Sequence, residues 1–174
     1  MWNCASQSNA GRGPRRALTL MEVVVSTLIV GFMTVAALNG LGSATRSGEL
    51  AGNRGIAEGL ADDLMSEILN SSYNDPNGNA VFGLETGEAA PRTNFDDVDD
   101  YHSWNSQPPK TASGVTIPNR TKFRQRVTVE KVAPGNPTQV VAGADQGAKR
   151  ICVTIECNNV VLARRYAVVT DSAQ

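Results

Sequence analysis

A long apolar run near the N-terminus constrains this chain more than any other feature of its sequence. From Leu18 to Leu41 the chain reads LTLMEVVVSTLIVGFMTVAALNGL, and Glu22 is the only charged residue in these 24 positions. As an α-helix with a rise of about 1.5 Å per residue, the run extends about 36 Å, which exceeds the roughly 30 Å of a bilayer's hydrocarbon core. Because backbone groups in lipid must bond within their own segment, we expect a transmembrane helix over 18–42 despite its many β-branched residues.

A short basic leader precedes this run. Residues 1–17 read MWNCASQSNAGRGPRRA and hold Arg12, Arg15 and Arg16 but no acidic residue. Glycines and a proline make a helix unfavourable in the leader. Because arginines next to a spanning segment stay on the cytoplasmic side, the leader predicts a single-pass protein whose C-terminal domain is exported.

The simplest interpretations of the run are a plain membrane anchor or the apolar core of a secretory signal peptide. An anchor leaves Glu22 unexplained, and 24 apolar residues are long for a signal-peptide core. A carboxylate inside a spanning helix costs roughly 2.5–3.5 kcal/mol on insertion scales and is normally paired. A signal peptide also needs a cleavage site after its apolar core, and Gly42-Ser43-Ala44 supplies small residues at both recognition positions. The signal-peptide interpretation predicts a mature chain that begins at Thr45.

The residues at the start of the run carry a resemblance to a known family. The sequence ALTLME, residues 17–22, lies between a basic leader and an apolar run. In this setting it resembles the processing site of type IV prepilins and type II secretion pseudopilins. The resemblance implies cleavage between Ala17 and Leu18, N-methylation of Leu18, and a glutamate, Glu22, as the fifth mature residue. The family commonly has Gly before the cut and Phe after it, where this chain has a small Ala17 and an apolar Leu18.

The resemblance also gives Glu22 a role in assembly. In the family this carboxylate is thought to pair with the N-terminal amine of a neighbouring subunit. The same pairing here would neutralise two charges in a medium of low dielectric constant. The implied partners are other pilin or pseudopilin subunits, the prepilin peptidase/methyltransferase and the inner membrane. The implied location is the inner membrane with the C-terminal domain in the periplasm, and a filament after assembly.

A second apolar pattern follows the spanning segment. Gly40, Gly42 and Ser43 end the run and predict a bend or a locally melted turn. Over 43–70, apolar residues recur at helical spacing and acidic residues occupy the other side, which predicts an amphipathic continuation of the helix. We expect this apolar side to pack on a sheet, and a surface for a partner helix is the alternative. The apolar set is Ile56, Ala57, Leu60, Ala61, Leu64, Met65, Ile68 and Leu69.

The rest of the chain divides into an irregular region and a β-rich region. Residues 71–121 lack periodicity but hold five of the nine aromatic residues, which predicts an ordered variable region rather than a linker. Alternation over 122–170 predicts strands at 122–132, 138–142, 150–156 and 160–169, with a tight turn at Asn158-Asn159. The predicted fold class is α+β and pilin-like: a long N-terminal helix packed on a C-terminal antiparallel β-sheet of three to four strands.

The segment FDDVDDYHSW, residues 95–104, is the most unusual local sequence. It places four carboxylates within five positions, and carboxylate oxygen is a ligand that Ca²⁺ prefers. The EF-hand spacing is absent. The alternatives are therefore a calcium site, as in the loops of some secretion pseudopilins that this chain resembles, and a solvated loop whose side chains cap turns. The candidate calcium ligands are Asp96, Asp97, Asp99 and Asp100.

Function follows from these patterns and from composition. Sixteen basic and seventeen acidic residues give a net charge of −1, which argues against a nucleic-acid partner. No nucleophile-elbow pattern surrounds His102 and Ser103, so no catalytic residue and no enzyme activity are predicted. The sequence predicts a structural subunit, a minor pilin or pseudopilin of a type II secretion or type IV pilus-like filament. The alternative is a secreted or membrane-anchored β-rich binding domain that uses the apolar segment as signal or anchor.

Overall fold

The computed structural model describes residues 19–76, 78, 81–85, 88 and 90–171. Contacts divide the chain into two compact units, Met1–Ser47 and Gly48–Gln174. One helix, α1, runs from Leu20 to Leu69 and contributes residues to both units. Among the described residues, the first unit consists of the apolar part of α1 and Thr19 before it. The second unit joins the remainder of α1 to an antiparallel sheet.

Five antiparallel strands form the sheet of the second unit. The strand order is β1-β2-β4-β5, and β3 pairs with the end of β2. The long pairing of β2 with β4 runs from Phe123 opposite Cys157 to Lys131 opposite Lys149. The strands are β1 (Asn105–Ser106), β2 (Phe123–Ala133), β3 (Asn136–Val140), β4 (Ala148–Cys157) and β5 (Val160–Thr170).

The hydrophobic core lies between this sheet and one side of α1. From α1 it takes Ala57, Leu60, Ala61, Leu64, Met65 and Ile68, which are all buried. Alternate positions of the central strands face these residues, including Val127 and Val129 of β2 and Ile151, Val153 and Ile155 of β4. The apolar stripe of the sequence is therefore the core face of the helix, and the α+β prediction is confirmed.

The hairpin between the last two strands has the predicted backbone geometry. Asn158 and Asn159 have φ angles of 50° and 64°, in the left-handed region. Asparagine enters this region more readily than most residues, and a two-residue turn of this kind matches the twist of the strands it joins.

Three details differ from the sequence-based prediction. The sheet has five strands rather than three to four, because a strand as short as the two residues of β1 shows no alternation. β3 begins at Asn136 instead of residue 138 and includes Pro137, which a strand at the margin of a sheet tolerates. Leu69 is 46% exposed rather than in the core, because it is the last residue of α1 and follows the last buried turn.

The predicted melted turn after the apolar run is also not found. Helix α1 continues without interruption through Gly40, Gly42 and Ser43. The Ser43 hydroxyl donates to the Gly40 carbonyl at 2.9 Å, and the Thr45 hydroxyl donates to the Gly42 carbonyl at 3.0 Å. A helical glycine costs about 1 kcal/mol relative to alanine, which is too little to break a helix that extends in both directions.

The irregular region contributes to the core where it is described. Phe95, Val98 and Tyr101 are buried against the sheet and α1. The Phe95 and Tyr101 rings meet edge to face, with centroids 5.0 Å apart. Two short 3₁₀ turns, Arg92–Asn94 and Asp99–Tyr101, hold this part of the chain in place.

Helix packing gives the first prediction. Leu64→Ala should lower the free energy of unfolding by about 2–5 kcal/mol, because Leu64 is 1% exposed and the substitution leaves a cavity. Leu69→Ala, the same change in the same helix at an exposed position, should cost under about 1 kcal/mol. Urea unfolding followed by tryptophan emission measures both values, and equal losses for the two variants would contradict this packing.

Candidate functional site: apolar helix and acidic loop

The described part of α1 begins with a side-chain cap. The Glu22 amide donates to the Thr19 hydroxyl at 3.3 Å, and the Val23 amide donates to the Thr19 carbonyl at 3.2 Å. Thr19 is thus the N-cap and Glu22 the third helical residue, which is the spacing of a capping box. A carboxylate in the first turn also interacts favourably with the positive end of the helix dipole. The capped first turn and the helix dipole therefore both favour a carboxylate at position 22.

The predicted processing residues adjoin this cap in sequence. Ala17 and Leu18 lie outside the described residues, so their placement adds nothing to the prediction. In sequence, a cut between them would leave the new amine at Leu18, four residues before Glu22 and immediately before the N-cap.

The first half of α1 exposes its apolar side chains on all sides. An 18-residue window of this helix has a mean hydropathy of 2.1, and none of its residues is buried by the rest of the chain. Leu20, Phe32 and Met33 are 84%, 74% and 67% exposed. Exposed apolar area on this scale is unfavourable in water. The helix is long and apolar enough to cross a membrane, and a membrane anchor or a signal sequence would both have this composition.

Hydroxyl groups within the apolar segment bond to the helix itself. Thr27 Oγ1 lies 3.0 and 2.9 Å from the Val23 and Val24 carbonyls, and Thr34 Oγ1 donates to the Val30 carbonyl at 2.8 Å. A threonine that bonds back to the preceding turn needs no external partner for its proton. These two threonines are therefore compatible with a surrounding of hydrocarbon, where an unsatisfied polar group is costly.

The acidic loop folds back on its own backbone. Asp97 Oδ1 accepts hydrogen bonds from the Asp99 and Asp100 amides at 2.7 and 3.2 Å. Asp100 Oδ2 accepts from the Asp96 and Asp97 amides at 2.9 and 3.3 Å. These bonds form the second 3₁₀ turn, and they match the capping role that the sequence offered as an alternative to calcium binding. The loop is not solvated, however, because Asp97, Asp99 and Asp100 are all buried.

A buried ion pair joins this loop to the sheet. The Lys149 ammonium of β4 contacts Asp99 Oδ1 and also donates to the Tyr73 carbonyl. Both side chains are more than nine-tenths buried. Since an unpaired charge is expensive in the interior, the two residues depend on each other. Sequence analysis did not find this pair, because Asp99 and Lys149 are 50 positions apart.

Burial changes the acidity of the loop. Desolvation, with the nearby Asp99 charge, raises the pKa of Asp97 from its ordinary 3.8 to about 7, although Lys149 opposes the shift. Desolvation likewise raises the pKa of Asp100 to about 6 against the effect of its backbone hydrogen bonds.

One group of carboxylates in the described residues is compact enough to hold a metal ion. Oxygens of Glu85, Glu88 and Asp100 all lie within 4.8 Å of one another. Of the four predicted calcium ligands only Asp100 belongs to this group, so calcium binding by the aspartates remains a prediction. Desolvation and the proximity of Glu88 raise the pKa of Glu85 to about 7. Glu85 and Glu88 were missed because no spacing in the sequence links them to residue 100.

A second ion pair, between a buried arginine and a half-buried glutamate, links the irregular region to α1. Arg92 Nε and Nη2 donate to the two Glu67 carboxylate oxygens at 2.7 and 2.8 Å. The Tyr101 hydroxyl donates to the same carboxylate at 3.2 Å, and burial raises the pKa of Tyr101 to about 12. Two parallel bonds between a guanidinium and a carboxylate fix geometry as well as charge. This contact could not be predicted from the sequence, because the helical pattern places Glu67 on the polar side of the helix.

Comparison of the chain with protein-family models, curated proteins and solved structures gave no match in any of the three. Function is therefore inferred from the residues and geometry of the chain itself.

The acidity of the loop predicts a pH dependence of stability. Between about pH 4 and 7 the folded Asp97 carboxyl keeps a proton that the unfolded chain has released, so its contribution to stability falls as pH rises through this range. Asp97→Asn keeps an oxygen acceptor for the two amides but removes the charge. We expect the free energy of unfolding of the variant to exceed that of the native chain by about 1–2 kcal/mol at pH 8. At pH 4 the two values should be nearly equal.

Unfolding curves from pH 4 to 8 measure this difference. Asp63→Asn is the matched control, because Asp63 is an exposed aspartate of α1 and should leave the pH dependence unchanged. An Asp97→Asn curve that runs parallel to the native curve over this range would contradict the assignment.

Proposed function

We propose that this chain is a structural subunit of the type IV pilin class, a minor pilin or pseudopilin of a type II secretion or type IV pilus-like filament. The observation that carries the proposal is the exposed apolar half of α1, which starts with a capped turn and holds one carboxylate, Glu22. The α+β layout of the second unit, a helix packed on an antiparallel sheet, is compatible with a pilin-like fold.

Before assembly, the apolar half of α1 resides in the inner membrane. Its length and mean hydropathy suit a bilayer, and the hydroxyls of Thr27 and Thr34 are satisfied within the helix. The arginines of the leader hold the N-terminus in the cytoplasm, so the second unit is exported to the periplasm. The prepilin peptidase then cuts between Ala17 and Leu18 and methylates the new amine.

In the filament, the same helix packs against helices of neighbouring subunits. Each subunit brings a cationic amine at Leu18 and a carboxylate at Glu22. Pairing the carboxylate of one subunit with the amine of the next neutralises both charges where water is excluded. A pairing of this kind fixes the axial position of one subunit on another, because a shift leaves both charges unpaired.

A secreted or anchored binding domain is the competing function. If Gly42-Ser43-Ala44 were the signal cleavage site, the cut before Thr45 would fall within α1 rather than at its end. That cut would discard the capped turn and Glu22 together with the apolar segment. An anchored domain would keep the helix but would leave Glu22 without a partner. The pilin-like function gives a role to the continuous helix and also to this carboxylate.

Glu22→Ala tests the proposed function. The variant should insert into the membrane and be processed like the native chain, because the apolar run and the residues at the cut are intact. Its incorporation into filaments should fall about tenfold or more, since an unpaired amine in a medium of low dielectric constant costs more than about 1.4 kcal/mol. Immunoblots of sheared filaments and of whole membranes measure incorporation against the total.

Glu49→Ala is the matched control for this experiment. Glu49 is also an exposed acidic residue of α1, but it lies beyond the apolar run. This variant should assemble normally. Native incorporation of Glu22→Ala, or an equal loss in both variants, would contradict the proposed role of Glu22.

A further inference from the structure

A cleft in the second unit has no role in the proposed function. Its volume is about 420 Å³, and its lining includes Pro91, Arg92, Trp104, Lys110 and Ser113. At one end the chain closes tightly, because Gly114 has a φ of 82° and a Cβ added there would lie 3.2 Å from the Pro91 Cβ. The cleft is therefore a formed concavity, and every lining residue lies in the described part of the chain.

Arg92, in the wall of this cleft, has one nitrogen with no hydrogen-bond partner among the described residues. Its side chain is 4% exposed, and its Nε and Nη2 are taken by Glu67, with a further bond from Nη2 to the Lys110 carbonyl at 3.2 Å. Nη1 is buried and makes no hydrogen bond to the described residues. A buried donor that lacks an acceptor is rare and unfavourable, so Nη1 is suited to an oxygen that enters the cleft.

The charge of the cleft favours an anion. Its described lining contains two cationic side chains, Arg92 and Lys110, and no carboxylate. Glu67 balances the charge of Arg92 from the opposite edge of the guanidinium, whereas Lys110 is exposed and forms no ion pair with the described residues. One positive charge is therefore left over in the described lining, which also contains the hydroxyl of Ser113.

Trp104 covers the guanidinium. The Arg92 Cζ lies 4.2 Å from the centroid of the Trp104 ring, a cation–π contact, and Trp104 is only half-buried. Trp104 also lines the cleft, so an oxygen that enters the cleft and bonds to Arg92 lies near the indole. Binding at Nη1 must therefore change the surroundings of this ring.

We propose that the cleft binds a carboxylate group carried by a peptide segment of a partner protein. One carboxylate oxygen accepts from Arg92 Nη1, and the Lys110 ammonium neutralises the charge. Charge-assisted bonds to a guanidinium are the strongest that a cleft of this kind can offer a carboxylate. The volume falls in the range of pockets that hold a ligand much larger than a free acetate ion, which favours a peptide. Binding here depends neither on prepilin processing nor on filament assembly.

Trp104 provides the signal for the test. The chain has two tryptophans, so Trp2→Phe in the full-length protein leaves Trp104 as the sole emitter. The protein in detergent is titrated with acetyl-Ala-Glu-Ala-amide, with its glutamine counterpart and with sodium acetate, all at one ionic strength. We expect a saturable change in emission with the glutamate peptide, at least tenfold weaker binding of acetate, and no saturable change with the glutamine peptide.

Lys110→Gln separates a specific site from a general charge effect. Because Arg92 also holds α1 through Glu67, the exposed Lys110 is the residue to change. The dissociation constant of the glutamate peptide should rise about three- to tenfold, the range of a partly exposed charge pair. Lys122→Gln removes an exposed lysine outside the cleft and should leave the constant unchanged.

Four results would overturn the proposal. Three concern the ligands: no saturable response to the glutamate peptide, equal responses to the glutamate and glutamine peptides, and equal affinities for the peptide and acetate. The fourth is the same dissociation constant in the native chain and in Lys110→Gln. Normal filament incorporation of a chain that fails this test would leave the proposed function intact, so the two claims fail separately.

Discussion

The exposed apolar surface of the first half of α1 is the strongest physical constraint on the environment of this protein. A buried leucine, isoleucine, valine, phenylalanine or methionine side chain gains about 1.5–3 kcal/mol over an exposed one, and the first half of α1 exposes thirteen such residues. The second unit, by contrast, closes its own core between α1 and the sheet. The chain thus combines a unit that buries its apolar residues with a segment whose apolar residues the other described residues leave exposed.

That segment is compatible with a surrounding without water. Threonine hydroxyls bond back to the helix, and the sole carboxylate lies in a capped first turn where the helix dipole favours it. The cap explains why Glu22 can stand at this point, but it does not neutralise the charge. A second charge from outside the helix is needed for that, and a neighbouring amine at the same depth would supply it.

The second unit holds its irregular region through buried charges rather than through regular hydrogen bonding alone. Arg92 with Glu67 fixes the region to α1, and Lys149 with Asp99 fixes it to β4. Such pairs require good geometry, since removing one partner leaves an uncompensated charge. The acidic loop is thereby held in the interior, where burial raises the pKa of its carboxyl groups. The sequence had suggested either calcium ligands or a solvated loop at these residues.

The parts of the fold that could be predicted from the sequence are those in which apolar residues recur at a regular spacing. Helical spacing from Ile56 to Ile68 and alternation along β2, β4 and β5 gave the core face and the long strands, because burial imposes a period on both. The two-residue β1, the Asp99–Lys149 pair and the Glu85, Glu88 and Asp100 group could not be predicted. Each depends on residues far apart in the chain, whose meeting is decided by the fold.

Prepilin-type processing removes the leader and keeps the apolar helix on the exported protein, and the mature N-terminus shows whether both have happened. Intact mass and N-terminal sequence should be measured on the protein made with its own export machinery. We expect a mature chain that starts at N-methylated Leu18. A chain that starts at Thr45, or one that retains the leader from Met1, would contradict it.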